Sequence, residues 1–287
     1  MTTAAPILAL VGDQHLYGRD GAQGEQALRR TLAALAAHPE AERILPIMLG
    51  DLVDGSLLPW PVAARRHVAD HADQLNRAGQ LLADWLAEPH PINQLIITPG
   101  NHDVGVPLGA VTVVDDLVRC WRTYVGRRCQ PWAAEQTLGD PPWLYLAADT
   151  LVICCDSTAG QVGPDLTPDL ARQELGGRQL RRLAQALQTA EGMDVRPVVV
   201  LHGHPLDRGL GVAVEDSREL LEILAPYPDA LVVFGHKHEE GDGTLGGGAR
   251  WYAAGKLSDG VVPRVRLLDL ADGDVVESWL DVGQRAV

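Results

Sequence analysis

Five short segments of this chain place aspartate, asparagine or histidine directly behind an apolar run. Asp13-Gln14-His15 follows Ile7–Val11, and Gly50-Asp51-Leu52-Val53-Asp54 follows Ile47–Leu49. Gly100-Asn101-His102-Asp103 follows Leu95–Thr98, His202-Gly203-His204 follows Val198–Leu201, and Gly235-His236-Lys237-His238 follows Leu231–Phe234. Carboxylate, carboxamide and imidazole groups are the oxygen and nitrogen donors that suit ions such as Mn, Fe, Zn or Ni. Singly, each segment is weak evidence. An Asp-x-His after a strand more often caps a turn, and a lone Gly-His-x-His is evenly balanced between turn and ligand. Five such segments in one chain, holding six of its ten histidines, are not explained by turn chemistry. They point to a metal centre.

Donors at strand ends need sheets to hold them. The apolar runs are too short for helices and several are rich in Val and Ile, so they read as strands, as do Leu144–Leu146 and Leu151–Cys155. Pro46 is expected just ahead of its strand. Helices are expected over Glu25–Ala37, with Leu28, Leu32 and Leu35 on one stripe, and over Pro61–Glu88, with a stripe through Ala64, Val68, Ala72, Leu75, Leu82 and Leu86. A third is expected over about Pro168–Gln188, with a break at Gly176-Gly177, and a fourth from Asp216-Ser217, with Asp216 or Ser217 as its N-cap. The tail over Pro263–Leu280 reads as two strands around Ala271-Asp272-Gly273-Asp274. The stretch 104–142 is the least regular and reads as an insert near the site, where Trp121, Tyr124, Trp132 and Trp143 pack a subdomain in preference to covering a site. Strand–helix alternation with a terminal hairpin predicts one α/β domain over 1–287 with mixed sheets. In such sheets the loops leaving the strands' carboxyl ends converge in one crevice.

Taken in order, the five segments resemble the motif set of the calcineurin-like metallophosphoesterase superfamily: DxH, GDxxD, GNH[DE], a later strand-end His, and GHxH. They extend from Asp13 to His238, so the resemblance covers most of the chain. It implies an α/β (α+β mixed) fold, a sandwich of two mixed β-sheets flanked by helices. It also implies that Asp13, His15 and His238 bind one metal ion, that Asn101, His202 and His236 bind a second, and that Asp51 bridges them. Two cations about 3.5–4 Å apart acidify a shared water and clamp the phosphoryl oxygens. His102 would protonate the leaving group with Asp54 holding its imidazole, and Asp103 would be structural. The fourth segment departs from the family, with His202-Gly203-His204-Pro205 in place of His-His-Pro or His-Gly-Gly. His202, directly behind its strand, is the expected ligand, and His204 the candidate for touching substrate phosphate. Asp156 also closes a strand, but the family seldom uses a residue there as a ligand.

Departures from individual branches narrow the expectation. Gly55-Ser56 after Asp54, together with GNHD, differs from the GDxVDRG and GNHE of phosphoprotein phosphatases, and His102 differs from the GNRD of lipid A pathway pyrophosphatases. The chain looks most like compact bacterial class III cyclic nucleotide phosphodiesterases. That implies attack of a metal-bridging hydroxide on a small, nucleotide-like phosphodiester, with phosphomonoesterase or nuclease activity as the alternative. Some superfamily members serve as scaffolds after losing ligands or the catalytic histidine, and here the set is complete.

The bulk composition agrees. With 24 basic and 38 acidic residues the net charge is −14, which makes long nucleic acid and anionic membranes poor partners. The arginine pairs at 29–30, 65–66, 127–128 and 181–182 read as solvated helix faces. The apolar stretch Pro6–Gly12 is too short for a secretory h-region and no basic residue precedes it. Cys120, Cys129, Cys154 and Cys155 lack CxxC spacing and are expected as reduced thiols of a cytoplasmic protein. His67 and His71 stand one helical turn apart with no third donor nearby, and are expected on a wet helix face; His38 and His90, beside prolines, need no special role.

Overall fold

The computed structural model describes residues 4–17, 21–55, 64–104, 114–130, 140–158, 173–206, 213–257 and 264–282. Chain order begins β1 (Ile7–Val11), α1 (Gly21–Ala36), β2 (Ile44–Met48), α2 (Ala64–Leu86), β3 (Ile96–Ile97) and the one-turn α3 (Asn101–Val104). A helical stretch follows: α4 (Val114–Trp121), a π-helical turn over Arg122–Gly126, and α5 (Arg127–Cys129). Next come β4 (Trp143–Ala147), β5 (Thr150–Cys154), α6 (Gly177–Met193), β6 (Arg196–Val200), α7 (Ser217–Leu224) and β7 (Leu231–Phe234). Four strands complete the order: β8 (Gly241–Thr244), β9 (Arg250–Ala253), β10 (Arg264–Asp269) and β11 (Val276–Asp281).

The strands form two mixed sheets, ordered β11-β10-β1-β2-β3 and β4-β5-β6-β7-β9-β8. In the first, β1 lies parallel to β2 and antiparallel to β10. In the second, β5, β6, β7 and β9 are parallel, with β4 and β8 antiparallel at the edges. Parallel strands covered on both faces have no reason to alternate apolar and polar residues, and β1, β2, β5 and β7 are buried from end to end. Val152, Cys154, Val198, Val200 and Val233 join the core of the first sheet, with Leu8, Leu10 and Ile47. Their neighbours Ile153, Val199, Val232 and Phe234 pack instead with Leu183 and Leu187 of α6 and Leu220 and Leu224 of α7. α1 and α2 bring Leu28, Leu32, Leu75 and Leu82 to the first core. Two mixed sheets flanked by helices result, as the motif resemblance implies.

Local departures from the expected elements have physical causes. Pro46 lies inside β2, not ahead of it. Leu49 N bonds Val11 O, and Met48 O accepts from Thr98 N, so alternate N–H positions of β2 face β1 and β3 in turn. The missing donor of Pro46 therefore faces the β3 side, where β3 begins pairing only at Ile47. α6 starts at Gly177, so the break at Gly176-Gly177 is its beginning; Gln173 and Glu174 form isolated bridges, and 168–172 lie outside the described residues. β8 and β9 were not expected, because Gly241–Thr244 has no apolar pattern. His67 and His71 are fully buried, not wet. The buried stripe of α2 runs through them and Gln74, since the Gly55 turn packs there, with Gln74 Nε2 donating to Gly55 O at 2.7 Å. Trp121 is buried and stacks on Trp143 at 5.9 Å, which is packing, while Trp132 lies outside the described residues. Of the paired arginines, Arg128 and Arg182 are not simply solvated: they bond Asn76 O, and Asp140 O with Pro141 O.

Candidate metal centre

The carboxyl ends of β1, β2, β3, β6 and β7 meet across the sandwich. Thr98 Oγ1 donates to Cys155 O at 2.5 Å, His202 Nδ1 to Leu49 O at 2.6 Å, and His236 N to the Asp13 carboxylate at 3.2 Å, so the loops of both sheets are tied together. The loops after β1 and β2 run in register, with His15 N on Asp51 O and Leu16 N on Leu52 O, both at 2.9 Å. Asp13, His15, Asp51, His236 and His238, five of the seven expected ligands, hold φ between 27° and 74°. Non-glycine residues seldom adopt that region, and they persist there when the surroundings enforce it. At Gly50 the φ is 88°, and a Cβ would come within 2.6 Å of His202 Nδ1. Only glycine fits that turn.

Two donor groups share Asp51. In one, ligand atoms of Asp13, His15, His238 and Asp51 lie within 4.8 Å of one another. Nε2 of His15 and Nε2 of His238 are 3.0 Å apart, and the latter is 3.7 Å from Asp13 Oδ1. In the other, His202 Nε2 lies 3.3 Å from Asp51 Oδ2, 3.0 Å from Asn101 Oδ1 and 3.2 Å from His236 Nδ1. A neutral His202 that donates from Nδ1 to Leu49 turns a lone pair toward two oxygens. Either a proton on Nε2 or a cation between the atoms is needed to satisfy that arrangement. His236 Nε2 is also buried with no hydrogen-bond partner among the described residues.

Electrostatics lead to the same requirement. Burial raises the Asp13 carboxyl, whereas at Asp51 burial is overcome by the imidazoles of His202, His102 and His15, which hold it well below the usual range. Burial also opposes charge on His202, but Asp51 outweighs it and lifts that imidazole to about 9. Burial and the neighbouring His202 charge push His236 down to about 3. An imidazolium at His202 thus supplies the positive charge that buried carboxylates demand. A metal ion among these donors would supply more of it. The residues fit a pair of cations.

His102 stands at the rim with its side chain 40% exposed. Its Nδ1 lies 3.2 Å from Asp54 O and 3.7 Å from Asp54 Oδ1, while the same Oδ1 is 3.2 Å from His15 Nδ1. Asp54 therefore meets His102 more closely by its carbonyl than by its carboxylate, and the carboxylate sits closer to His15 than to His102. The physical reason is the paired loops: Asp54 N bonds Leu16 O, which draws the side chain toward His15. Asp103 accepts from Val53 N at 3.0 Å and Gly100 N at 2.9 Å, joining two of the five loops.

His204 is set apart from these groups. Its ring packs on Phe234 at 4.6 Å, its Nδ1 meets Leu206 N and O, and it is 4% exposed. Two positioning residues escaped the sequence reading. Gln173 Nε2 donates to Asn101 Oδ1 at 3.2 Å, and Ser157 Oγ donates to Gln173 Oε1 at 2.6 Å. Ser157 carried a signal, since it follows Asp156 behind a strand; Gln173 carried none.

A family model described as calcineurin-like phosphoesterase matches residues 7–240. A comparison with curated protein sequences finds no match. Among solved structures, a dimetal phosphatase from Danio rerio is 13% identical with a TM-score of 0.67, over 98% of this chain and 98% of that one. The protein TT1561 of Thermus thermophilus is 15% identical with a TM-score of 0.51, over 97% and 99%. The NAD nucleotidase of Haemophilus influenzae is 12% identical with a TM-score of 0.54, over 96% of this chain and 49% of that one. At these identities the likeness is one of fold. Among the described residues no helix is long and apolar enough to cross a membrane.

Proposed function

The chain belongs to the calcineurin-like phosphoesterase family and is a phosphoric ester hydrolase; on that premise we propose that it hydrolyses a small, nucleotide-like phosphodiester. One observation supports this reading: two groups of donors converge on either side of a shared Asp51, at 3.0 Å between His15 and His238 and 3.3 Å between His202 and Asp51. Asp13, His15 and His238 would hold one cation, Asn101, His202 and His236 the other, and Asp51 both. Mn, Fe, Zn or Ni ions so held would supply an acidified water and positive charge against the phosphoryl oxygens.

The chain's own residues supply the rest. His102, with Nδ1 against Asp54 O, leaves Nε2 for the leaving-group oxygen, and a proton delivered there removes the need to expel an alkoxide. The Asp54 carboxylate lies 3.2 Å from His15 Nδ1 without a formed hydrogen bond, close enough to favour the tautomer that turns Nε2 to the metal group. Gln173 and Ser157 orient the Asn101 oxygen. The acidic surface, net −14, favours a small substrate over long nucleic acid.

Metal analysis of the purified protein, with a panel of cyclic nucleotides, linear diesters and monoesters in added Mn, tests the reading. Bound metal with fastest turnover of a diester is expected. Preference for monoesters would make the protein a phosphomonoesterase, and metal binding without turnover of any ester would make it a scaffold.

A further inference from the structure

A cleft of about 790 Å³ opens between the helical stretch over residues 114–130 and the first turn of α6. The helical stretch packs inward through Leu117, Trp121, Val125 and Cys129, all buried and four residues apart. Arg119, Arg122, Thr123 and Arg127 are left to line the cleft. The π-helical turn over Arg122–Gly126 widens the spiral, so Arg122 and Arg127, five residues apart, share a side. Arg122 Nε is buried with no hydrogen-bond partner among the described residues. On the opposite wall Gly176 and Gly177 bring in the start of α6, a helix of 17 residues with no side-chain cap. The Asp216 carboxylate accepts from Leu175 N at 3.0 Å and Gly176 N at 2.7 Å just ahead of that turn, and only the N–H groups of the turn itself, which no side chain caps, are left to favour an anion.

Two carboxylates also line the cleft. Arg178 engages Asp140 at 3.0 Å, and Asp156 Oδ1 accepts from Thr158 N and Oγ1 at 2.9 and 2.6 Å. Burial raises the Asp156 carboxyl against the opposing pull of the Arg122 guanidinium, so Arg122 already faces one carboxylate of the cleft. Among the described residues Arg119, Arg122 and Arg127 share the cleft with these two acids, and guanidinium forks match phosphate oxygens. The cleft is joined to the metal centre by a short relay: Asp156 and Thr158 of its lining flank Ser157, whose Oγ bonds Gln173, which bonds Asn101.

We propose that this cleft binds a second phosphate or diphosphate group of the molecule whose ester is cleaved at the metal centre, which makes the substrate class a nucleotide with a phosphate beyond the scissile one. The proposal rests on the hydrolase reading above and narrows its substrate. Calorimetry on the metal-loaded protein with thymidine 5′-monophosphate, thymidine 5′-diphosphate and thymidine 3′,5′-bisphosphate tests it. At least one two-phosphate ligand should bind about 10-fold more tightly than the monophosphate. Arg122→Gln and Arg127→Gln should remove that margin and Arg122→Lys should keep part of it. Hydrolysis of bis-p-nitrophenyl phosphate, which has no second phosphate, should stay at the wild-type rate in all three variants. Should Arg122→Gln fail to fold by circular dichroism, Arg127→Gln, at an exposed position, carries the test. Equal affinities for the three ligands in the wild type, or a margin that survives Arg127→Gln, would overturn the proposal. Absence of any ester hydrolysis by the wild type would sink the hydrolase reading instead, since the binding margin needs no turnover.

Discussion

Asp51 touches both donor groups through one side chain. Its Oδ1 accepts from His102 N at 2.8 Å, and its Oδ2 lies 3.3 Å from His202 Nε2 and 3.8 Å from His15 Nε2. Asp51→Asn should therefore lower metal content at both sites and remove nearly all activity while circular dichroism stays unchanged; full activity with metals bound would refute the bridging role. His102→Ala should keep its metals, because its imidazole belongs to neither donor group around Asp51, although with His15 and Asp54 it makes a third cluster at the rim. Its loss should be on the order of 10²–10⁴-fold for an alkyl leaving group and much smaller for a nitrophenyl ester. Equal losses on both would assign His102 to orienting the phosphate. His71 makes a separate prediction about pH. Burial holds its folded pKa at about 4, below the ordinary 6.5, so the folded form takes up its proton later than the unfolded chain as pH falls. Its contribution is complete above pH 6.5 and is lost as pH falls toward 4, by at most about 1.4 kcal/mol per pH unit. Asp103, raised to about 7 chiefly by burial, acts in the opposite sense over the acid side of neutrality. Urea melts of wild type and His71→Gln isolate the histidine: the variant should show the shallower acid decline, and parallel curves would mean His71 does not titrate this way.

At the scale of elements, α2 and the π-helical turn approach so closely that a side chain between them is excluded. A Cβ on Gly79 would lie 2.0 Å from Tyr124 O, a backbone atom. Gly→Ala inside a helix ordinarily gains about 1 kcal/mol. Here the helices must separate, so Gly79→Ala should instead destabilise by about 1–3 kcal/mol in thermal or urea unfolding. A stabilised variant would show that the turn yields freely. The same scale explains the thiols. Cys154 joins the inter-sheet core and Cys155 the helix-side core, because successive residues of an extended chain point to opposite faces. Burial pushes both thiols up, and no disulfide joins the four cysteines. Titration of the unfolded protein without reductant should find every thiol free.

For the whole molecule, the elements past the family match are not accessory. The match ends at residue 240, yet β10 lies between β11 and β1, pairing Leu8 with Leu268 and Leu10 with Arg266, while β9 pairs with β7 behind the GHxH loop. A chain ending at Glu240 would leave β1 and β7, which carry Asp13, His15, His236 and His238, as unpaired edges. Such edges drive association between chains. The truncated protein should be insoluble or lack a cooperative unfolding transition; a soluble, cooperatively folding product would show that β8–β11 form a separable unit.

Much of the candidate site was legible in the sequence because its chemistry is local. Each donor stands within a few residues of the end of an apolar run, and buried parallel strands write that run without interruption, so neither the donors nor their strands needed a partner to be seen. The two-sheet sandwich followed from motif resemblance more than from pattern, and the strand order came only with the structure. What required tertiary structure were the relations between segments distant in the chain. His67 and His71 read as solvent-facing because their burial comes from the Gly55 turn and the helical stretch packed across α2. Gln173 reaches Asn101 from 72 residues away, and no local spacing announces that bond. β8 had no legible pattern because its Gly241-Asp242-Gly243-Thr244 sequence is a strand only by pairing with β9. Arg127 of the cleft read as part of a solvated face for the same reason: a helix period shows which residues share a face, and only the packing of other elements decides whether that face meets water or encloses a cavity.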